Sequence, residues 1–189
     1  SAGLVGSAVV RKLASEGVFV VGIDNYSRGS FFGPHASTKP VADEMRQELD
    51  NHYAHVPMDI RNPDTYLYVE PVDLVVHAAS QPSHDWAAKK PLTDFDINAK
   101  ATLILLEWVR HTCPEAVVIY MSTNKVYGDA VNKLEYIETK LRWEPEDQIL
   151  ATFGVDESMP VDDSMHSLFG VSKLAGDLLT QEYGRYFDM

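Results

Sequence analysis

The sequence predicts an α/β fold built on a doubly wound parallel sheet, and two observations lead to it. Short apolar, β-branched segments alternate with amphipathic helical segments along the whole chain, which is typical of βαβ units. A glycine turn also opens the first helix, and an acidic residue ends the strand that follows it. With 45% hydrophobic residues in 189, the chain can bury the core of one domain.

The order of elements follows from the spacing of apolar residues. Helical periodicity predicts helices over residues 4–15, 95–111 and 169–187. Apolar runs predict strands over residues 18–23, 72–77 and 116–121, with a weaker candidate over residues 55–58. The run over residues 18–23 is expected to be buried on both faces of a parallel sheet. The chain starts inside the glycine turn and stops just after the last helix. We therefore expect residues 1–189 to be one partial domain, truncated at both ends, without its first strand and a C-terminal substrate-binding portion.

Composition and charge exclude several classes of function. No run of about 18 apolar residues occurs, so we expect no membrane span. Acidic residues outnumber basic ones by 28 to 16 and the basic residues are scattered, which disfavours nucleic-acid binding. The single Cys113 excludes a disulfide framework and a multi-cysteine zinc site, so we expect a cytoplasmic protein without a bound metal.

The glycine turn is the tail of a dinucleotide-binding fingerprint. Its two glycines, Gly3 and Gly6, let the backbone approach a pyrophosphate at a helix N-terminus, which favours an anion. Asp24 ends the next strand, where a carboxylate accepts both hydroxyls of the adenosine ribose and repels a 2′-phosphate. The cofactor expected is therefore NAD, with Arg28 tempering the preference over NADP. The simpler alternative is that the two glycines only cap and pack a helix.

In these motifs the chain resembles the extended short-chain dehydrogenase/reductases that act on nucleotide-diphosphate sugars as epimerases and dehydratases. Residues 24–29 resemble that family's acidic ribose site, residues 59–61 its adenine-side aspartate turn, and residues 77–79 the segment after its fourth strand. The resemblance implies an NAD-binding Rossmann-like fold. It also implies a set of cofactor-binding residues: Gly3, Leu4, Val5, Gly6, Asp24, Asn25, Arg28, Asp59, Ile60, Ala78, Ala79, Asn98, Ser122 and Lys173.

The strand-five motif is the sharpest signal, because residues 121–128 read Met-Ser-Thr-Asn-Lys-Val-Tyr-Gly. Together with Asp156-Glu157-Ser158 and His166-Ser167, it is most similar to the branch of CDP-paratose 2-epimerases. This implies a nucleotide-sugar substrate, in particular a CDP-sugar, and an NAD-dependent isomerase of carbohydrate biosynthesis. The resemblance further implies a homodimer that packs residues 94–111 and 169–187 into a four-helix bundle.

The catalytic residues implied by the resemblance are a Ser or Thr, matched by Thr123, and a Tyr followed by a Lys four residues later. The matching stretch here is Phe169-Gly170-Val171-Ser172-Lys173, so the lysine is present and the tyrosine is replaced by phenylalanine. Since a phenyl ring has no ionisable group, Phe169 cannot act as the base. The best substitute base in the sequence is His166, because an imidazole titrates near neutral pH; Tyr127 and His84 are weaker candidates.

Several alternatives stay open at this stage. Tyr136 and Lys140 have the same four-residue spacing, but no amphipathic helix follows them, so we expect no catalytic pair there. The spacer over residues 129–165 either covers the sugar nucleotide or forms a mobile surface loop. The chain is either an epimerase or an NAD-binding and nucleotide-sugar-binding homologue without activity. A dehydratase or reductase ranks lower, because Asn124-Lys125 stands where dehydratases place an Asp-Glu pair.

Overall fold

The four predicted strands all form in the computed structural model, which describes residues 1–189. Strand β1 (Val20–Ile23) pairs with β2 (Tyr53–Val56), and β3 (Leu74–His77) pairs with β4 (Val117–Tyr120). Both pairs are parallel, with Val20 opposite Tyr53 and Leu74 opposite Val117. Parallel pairing across helical crossovers is the arrangement that the alternation of apolar segments predicted.

The helices cover the strand pairs, and the long spacer contains a few short elements of its own. Eight α-helices occur: α1 (Leu4–Ser15), α2 (Arg28–Phe32), α3 (Lys39–Leu49), α4 (His84–Lys89), α5 (Pro91–Phe95), α6 (Ala101–Thr112), α7 (Gln148–Phe153) and α8 (Leu168–Phe187). Within residues 129–165, strands β5 (Tyr136–Glu138) and β6 (Trp143–Pro145) form an antiparallel hairpin that precedes α7.

One expectation about the first strand is wrong, since the run over residues 18–23 is not buried on both faces. In this run, Val18 is 45% exposed and Phe19 is 59% exposed. The two parallel pairs share no hydrogen-bonded strand, so β1 and β3 each have one unpaired edge. The residues at the start of the chain lie beside β1, where the Ser1 nitrogen donates to the Ile23 carbonyl at 2.7 Å. Side chains of a strand point alternately to the two faces of the sheet, so those on a face that no helix covers stay partly exposed.

Two hydrophobic clusters hold the helices against the strands. The first packs α1 and α3 on β2 and contains Ala2, Val10, Ala42, Met45 and Tyr53. The second packs α6 beside β3 and β4 and contains Tyr66, Leu105, Val109, Cys113 and Ala116. The α6 members recur every four residues, so they lie on one face of the helix.

The predicted helix over residues 95–111 is interrupted. Residues Asp96–Lys100 form a π-helical turn between α5 and α6, and Asn98 lies buried at its centre. Helix α8 packs closely on this turn, because a Cβ on Gly176 would lie 2.8 Å from the Asn98 carbonyl oxygen. The Ser167 hydroxyl caps α8 by accepting a hydrogen bond from the Gly170 N–H at 3.0 Å. Glycine at 176 and the Ser167 cap together fix where α8 begins and how near it approaches the strands.

Candidate active site

A cleft of about 260 Å³ opens at the carboxyl ends of the first three strands. This edge of a parallel sheet is where ligands bind in open α/β folds. Most of the predicted cofactor residues line the cleft: Gly3, Leu4, Val5, Gly6, Asp24, Asn25, Arg28, Asp59, Ile60, Ala78 and Ala79. The structure also places residues in this lining that the sequence did not single out: Phe31, Thr38, Met58, Ser80, Pro82 and Ile97.

The glycine turn leaves open space above the first turn of α1. Gly3 is the N-cap of the helix and provides no side-chain cap, and a Cβ on Gly3 would meet no atom within 4 Å. Gly6 is required for a different reason, since its Cβ would lie 2.5 Å from the Ser1 carbonyl oxygen. Because the first N–H groups of a helix have no partner within it, this open space fits an anionic group such as a pyrophosphate.

Asp24 both faces the cleft and holds the chain around it. Its carboxylate accepts hydrogen bonds from the N–H of Ala2 at 2.9 Å, the N–H of Tyr26 at 2.8 Å and the hydroxyl of Thr38 at 3.0 Å. Burial opposes the ionised form of Asp24, yet its pKa lies below its ordinary value, and these hydrogen bonds contribute to the lowering. An ionised carboxylate at this position can accept hydroxyl donors of a ribose.

A second acidic residue lines the adenine side of the cleft that the resemblance implies. The guanidinium of Arg61 binds both oxygens of Asp59, with the closest contact at 2.6 Å. The Asn25 amide donates to Asp59 at 2.9 Å. Burial opposes the ionised form of Asp59, yet these contacts keep its pKa below the ordinary value. The guanidinium of Arg28 lies 5.2 Å from the centre of the Phe32 ring.

The predicted catalytic residues lie together where β4 ends and α8 begins. The Lys173 ammonium is buried, donates to the Met121 carbonyl at 2.7 Å and lies 4.2 Å from the centre of the Tyr120 ring. Burial lowers the pKa of Lys173 to about 8, against a smaller opposite effect of Asp177. A buried lysine at a sheet edge whose pKa is lowered this far is typical of a functional position.

The two hydroxyl residues of the strand-five motif, Ser122 and Thr123, differ in the hydrogen bonds that they make. Ser122 donates its hydroxyl to the carboxylate of Asp177 on α8. Thr123 begins the short turn over Asn124–Tyr127, where its hydroxyl accepts the N–H of Lys125 at 3.3 Å. The Thr123 hydroxyl hydrogen makes only a long contact of 3.4 Å with Asn124, so it can turn to a ligand.

Phe169 fills the position of the expected tyrosine, and the two candidate histidine bases differ in their contacts. The Phe169 ring is 7% exposed and packs against the His84 ring with 4.9 Å between their centres. His166 is held elsewhere, since one ring nitrogen lies 2.9 Å from the Ser164 carbonyl and the other 2.7 Å from the Val126 carbonyl. With both nitrogens against backbone oxygens, His166 has no free nitrogen to take a proton from a substrate.

Asn98 does not reach the cleft, contrary to its expected place among the cofactor contacts. Its amide is 1% exposed and joins a buried network with Gln81, Asp94 and Ser172. Ser172 donates to Asp94 at 2.6 Å, and Gln81 donates to Asp94 at 2.7 Å. The network thus joins the loop after β3 to the π-turn and to α8. Ser172 could have been identified from the sequence by its helical spacing from Phe169 and Gly176, which places all three on one face of the predicted helix.

The second pair with four-residue spacing is not helical. Tyr136 lies in strand β5 and donates its hydroxyl to the Val131 carbonyl at 2.9 Å, while Lys140 lies in the hairpin turn. Two residues in this arrangement do not share a helix face, so they do not form a catalytic pair of the expected kind. No group of three or more His, Cys, Asp or Glu side chains is arranged to hold a metal ion.

Comparison with known proteins places the whole chain in one family. The model of the NAD dependent epimerase/dehydratase family matches residues 1–189. The chain is 34% identical over 192 residues to CDP-paratose 2-epimerase from Salmonella typhi, a match that covers 99% of this chain and 52% of that protein. It is 25% identical to a putative UDP-glucose 4-epimerase from Methanocaldococcus jannaschii, covering 98% and 50% respectively. The chain therefore spans about half the length of the curated relatives it matches.

Solved structures agree with this match. UDP-glucuronic acid 4-epimerase from Bacillus cereus, solved in complex with NAD, matches this chain with a TM-score of 0.67 and 27% identity. The match covers all of this chain and 51% of that protein's chain. A dTDP-glucose 4,6-dehydratase from Streptomyces venezuelae has a TM-score of 0.72 at 22% identity. The α/β, Rossmann-like fold class predicted from the sequence is confirmed. No helix is long and apolar enough to span a bilayer.

Proposed function

Because the chain belongs to the NAD-dependent epimerase/dehydratase family, whose cofactor is NAD, we propose that it forms the NAD-binding part of an epimerase of nucleotide-diphosphate sugars. The similarity to a CDP-paratose 2-epimerase favours a CDP-sugar as substrate. The observation that carries the proposal is the joint placement of two groups of residues. The glycine turn and Asp24 line one cleft, and the loop that leaves this cleft at Ser80 leads through Gln81 to the buried network beside Lys173.

Each group of residues has a distinct task in this proposal. The N–H groups of residues 3–6 bind the pyrophosphate, Asp24 binds the adenosine ribose, and Asn25, Arg28, Asp59 and Ile60 surround the adenine end. Lys173 binds the nicotinamide ribose. Thr123 donates its hydroxyl to the oxygen of the reacting sugar carbon. Bound NAD supplies a reversible hydride acceptor, so oxidation and reduction from opposite faces invert one carbon.

Phe169 favours a second candidate function, a homologue that binds NAD and a nucleotide sugar without turning it over. The general base of an epimerase must accept the proton of the sugar hydroxyl, and Phe169 has no group that can do so. The other residues of the site serve either function equally, so Phe169 is the residue that distinguishes the two. A dehydratase or reductase of the same family remains the third candidate.

One experiment separates these functions. The full-length protein is loaded with NAD and mixed with CDP-sugars, and reduced nicotinamide is followed by its near-ultraviolet absorbance while the epimer is assayed by chromatography. An active epimerase gives transient reduction and an epimer. A binding homologue retains NAD, shows no reduction and gains activity when Phe169→Tyr is introduced. A parent protein that converts no sugar would contradict the epimerase proposal, and conversion gained with Phe169→Tyr would then identify the binding homologue.

We also propose that the protein is a cytoplasmic homodimer that packs α6 and α8 of two copies together. Support comes from apolar side chains that remain exposed on these helices: Leu103 at 36%, Val171 at 47% and Leu178 at 43%. Since such surface favours burial against a partner, replacing Leu178 by lysine should convert the dimer to monomer. Sedimentation equilibrium measures this, and a monomeric parent protein would contradict the proposal.

A further inference from the structure

We infer that His84 is the proton acceptor that replaces the missing phenol, an inference that rests on the proposed epimerase function. His84 opens helix α4, directly after the loop that lines the cleft. Its imidazole packs on the Phe169 ring with 4.9 Å between ring centres and 52° between ring planes. No other histidine ring forms an aromatic pair with the Phe169 ring.

The hydrogen bonds of the candidate bases distinguish His84 from the alternatives. Neither ring nitrogen of His84 has a hydrogen-bond partner in the chain, and the side chain is exposed. A neutral imidazole in this state has one nitrogen lone pair free to accept a proton. Both nitrogens of His166 face backbone carbonyl oxygens. Burial, followed by the charges of Glu157 and Asp156, raises the pKa of the Tyr127 phenol, so this phenol is less readily ionised than an ordinary tyrosine.

The backbone around His84 is held in place by buried groups. The Gln81 side chain is fully buried, accepts the N–H of Ser83 at 2.6 Å and donates to the Ser83 carbonyl at 2.9 Å. The same amide donates to Asp94, which in turn accepts the Ser172 hydroxyl. Ser83 caps α4 by accepting the N–H of Trp86 at 3.2 Å. His84 is therefore anchored to α8 through a chain of hydrogen bonds, which suits a group that must meet a substrate at a fixed position.

The proposed proton transfer and oxidation need no reagent other than the sugar and NAD. The O–H bond of the sugar hydroxyl breaks, and its proton passes to the free ring nitrogen of His84. The C–H bond at the same carbon breaks with its electron pair, for which NAD is the oxidant, and a C=O bond forms. Reduction of the opposite face reverses these changes, so the proton returns from His84 to the oxygen and the epimer is released.

Chemical modification tests the position of His84 without relying on turnover. The full-length protein is treated with diethyl pyrocarbonate, and the modified histidines are identified by peptide mass spectrometry. We expect His84 to react readily in the free protein and to be protected at least fivefold by NAD together with CDP-glucose or UDP-glucose. His52 is the internal control, because it is exposed and lies before β2, at the opposite edge of the strands. Equal reactivity of His84 with and without both ligands would overturn the inference.

Variants test the catalytic role. His84→Gln should lower the rate of epimer formation by about 100-fold or more, the usual contribution of a general base, with NAD still bound. His52→Gln is the matched control and should keep the parent rate. Adding Phe169→Tyr to His84→Gln should restore epimer formation, which shows that the His84 variant is folded. If His84→Gln keeps the parent rate, the inference fails and the proposed function stands. If the parent itself forms no epimer, both fail.

Discussion

The buried network of Gln81, Asp94, Asn98 and Ser172 makes a quantitative prediction for Ser172→Ala. The Ser172 hydroxyl is the only donor to one oxygen of Asp94, at 2.6 Å. The Asn98 amide also donates to this hydroxyl at 3.0 Å. When the hydroxyl is removed, the amide still has acceptors on Gln81 and Asp94. The substitution therefore leaves one buried carboxyl oxygen without a partner.

The cost follows from that single unsatisfied oxygen. A buried polar atom without a partner costs about 1–3 kcal/mol, and alanine returns about 0.5 kcal/mol through its higher helix propensity. The free energy of unfolding should fall by about 1.5 kcal/mol. For a chain of this size, the melting temperature should fall by about 3–6 °C.

Equilibrium unfolding in urea, followed by far-ultraviolet circular dichroism, measures this change. Ser15→Ala is the matched control, because the Ser15 hydroxyl is exposed at the end of α1 and bonds only the Lys12 carbonyl. The control should change the free energy of unfolding by less than about 0.5 kcal/mol. If Ser172→Ala costs no more than Ser15→Ala, the network does not hold α8 as described.

Three further predictions concern the glycine turn and two buried bases. Gly3→Val should weaken NAD binding at least tenfold in calorimetric titration, while the melting temperature falls by no more than about 2–4 °C through the loss of a glycine N-cap. Its side chain fills open space at φ −73° and ψ 175°, so a larger fall would contradict this account. Burial, followed by the charge of Lys173, lowers the pKa of His77 to about 3 from 6.5. As pH falls from 6.5 to 3, His77 is protonated in the unfolded state before it is protonated in the folded state, so the free energy of unfolding falls by up to about 1.4 kcal/mol per pH unit. His77→Gln should remove this contribution to the loss of stability, which urea midpoints compared at pH 7 and pH 4 measure. Lys173→Met should raise the free energy of unfolding by about 1–3 kcal/mol at pH 7 and weaken NAD binding, and a loss of stability would refute the view that burial of this ammonium is costly.

Local sequence patterns predicted the elements of this fold and the cofactor side of its site. The apolar residues of α1 recur at helical spacing and a glycine precedes them, so both the bounds of α1 and its position in the cleft followed from adjacent residues. Asp24 was identified for the same reason. Its partner Thr38 was not, because their contact depends on how α3 packs against β2 rather than on any pattern in the sequence.

The rest of the site depends on contacts between distant residues. Ser172 meets Asp94 and Asn98 across 78 and 74 residues of sequence, and no periodicity encodes such a meeting. The π-turn at residues 96–100 was predicted as ordinary helix, since its apolar spacing resembles that of α6. The choice between His166 and His84 also required the structure. The spacing of residues in the sequence does not show which histidine packs on the Phe169 ring and which has its nitrogens against backbone carbonyls.

The burial of Lys173 bears on both candidate functions. Lowering its pKa from 10.5 to about 8 corresponds to about 3 kcal/mol of unfavourable burial, for an amine whose one hydrogen-bond acceptor in the chain is the Met121 carbonyl. An apolar residue at 173 would avoid that cost and would still pack on the Tyr120 ring. With phenylalanine at 169, lowering the pKa of a phenol cannot be the reason for the lysine. We propose that its ammonium contacts a ligand, and the nicotinamide ribose is the group that both the epimerase and the binding homologue would place there.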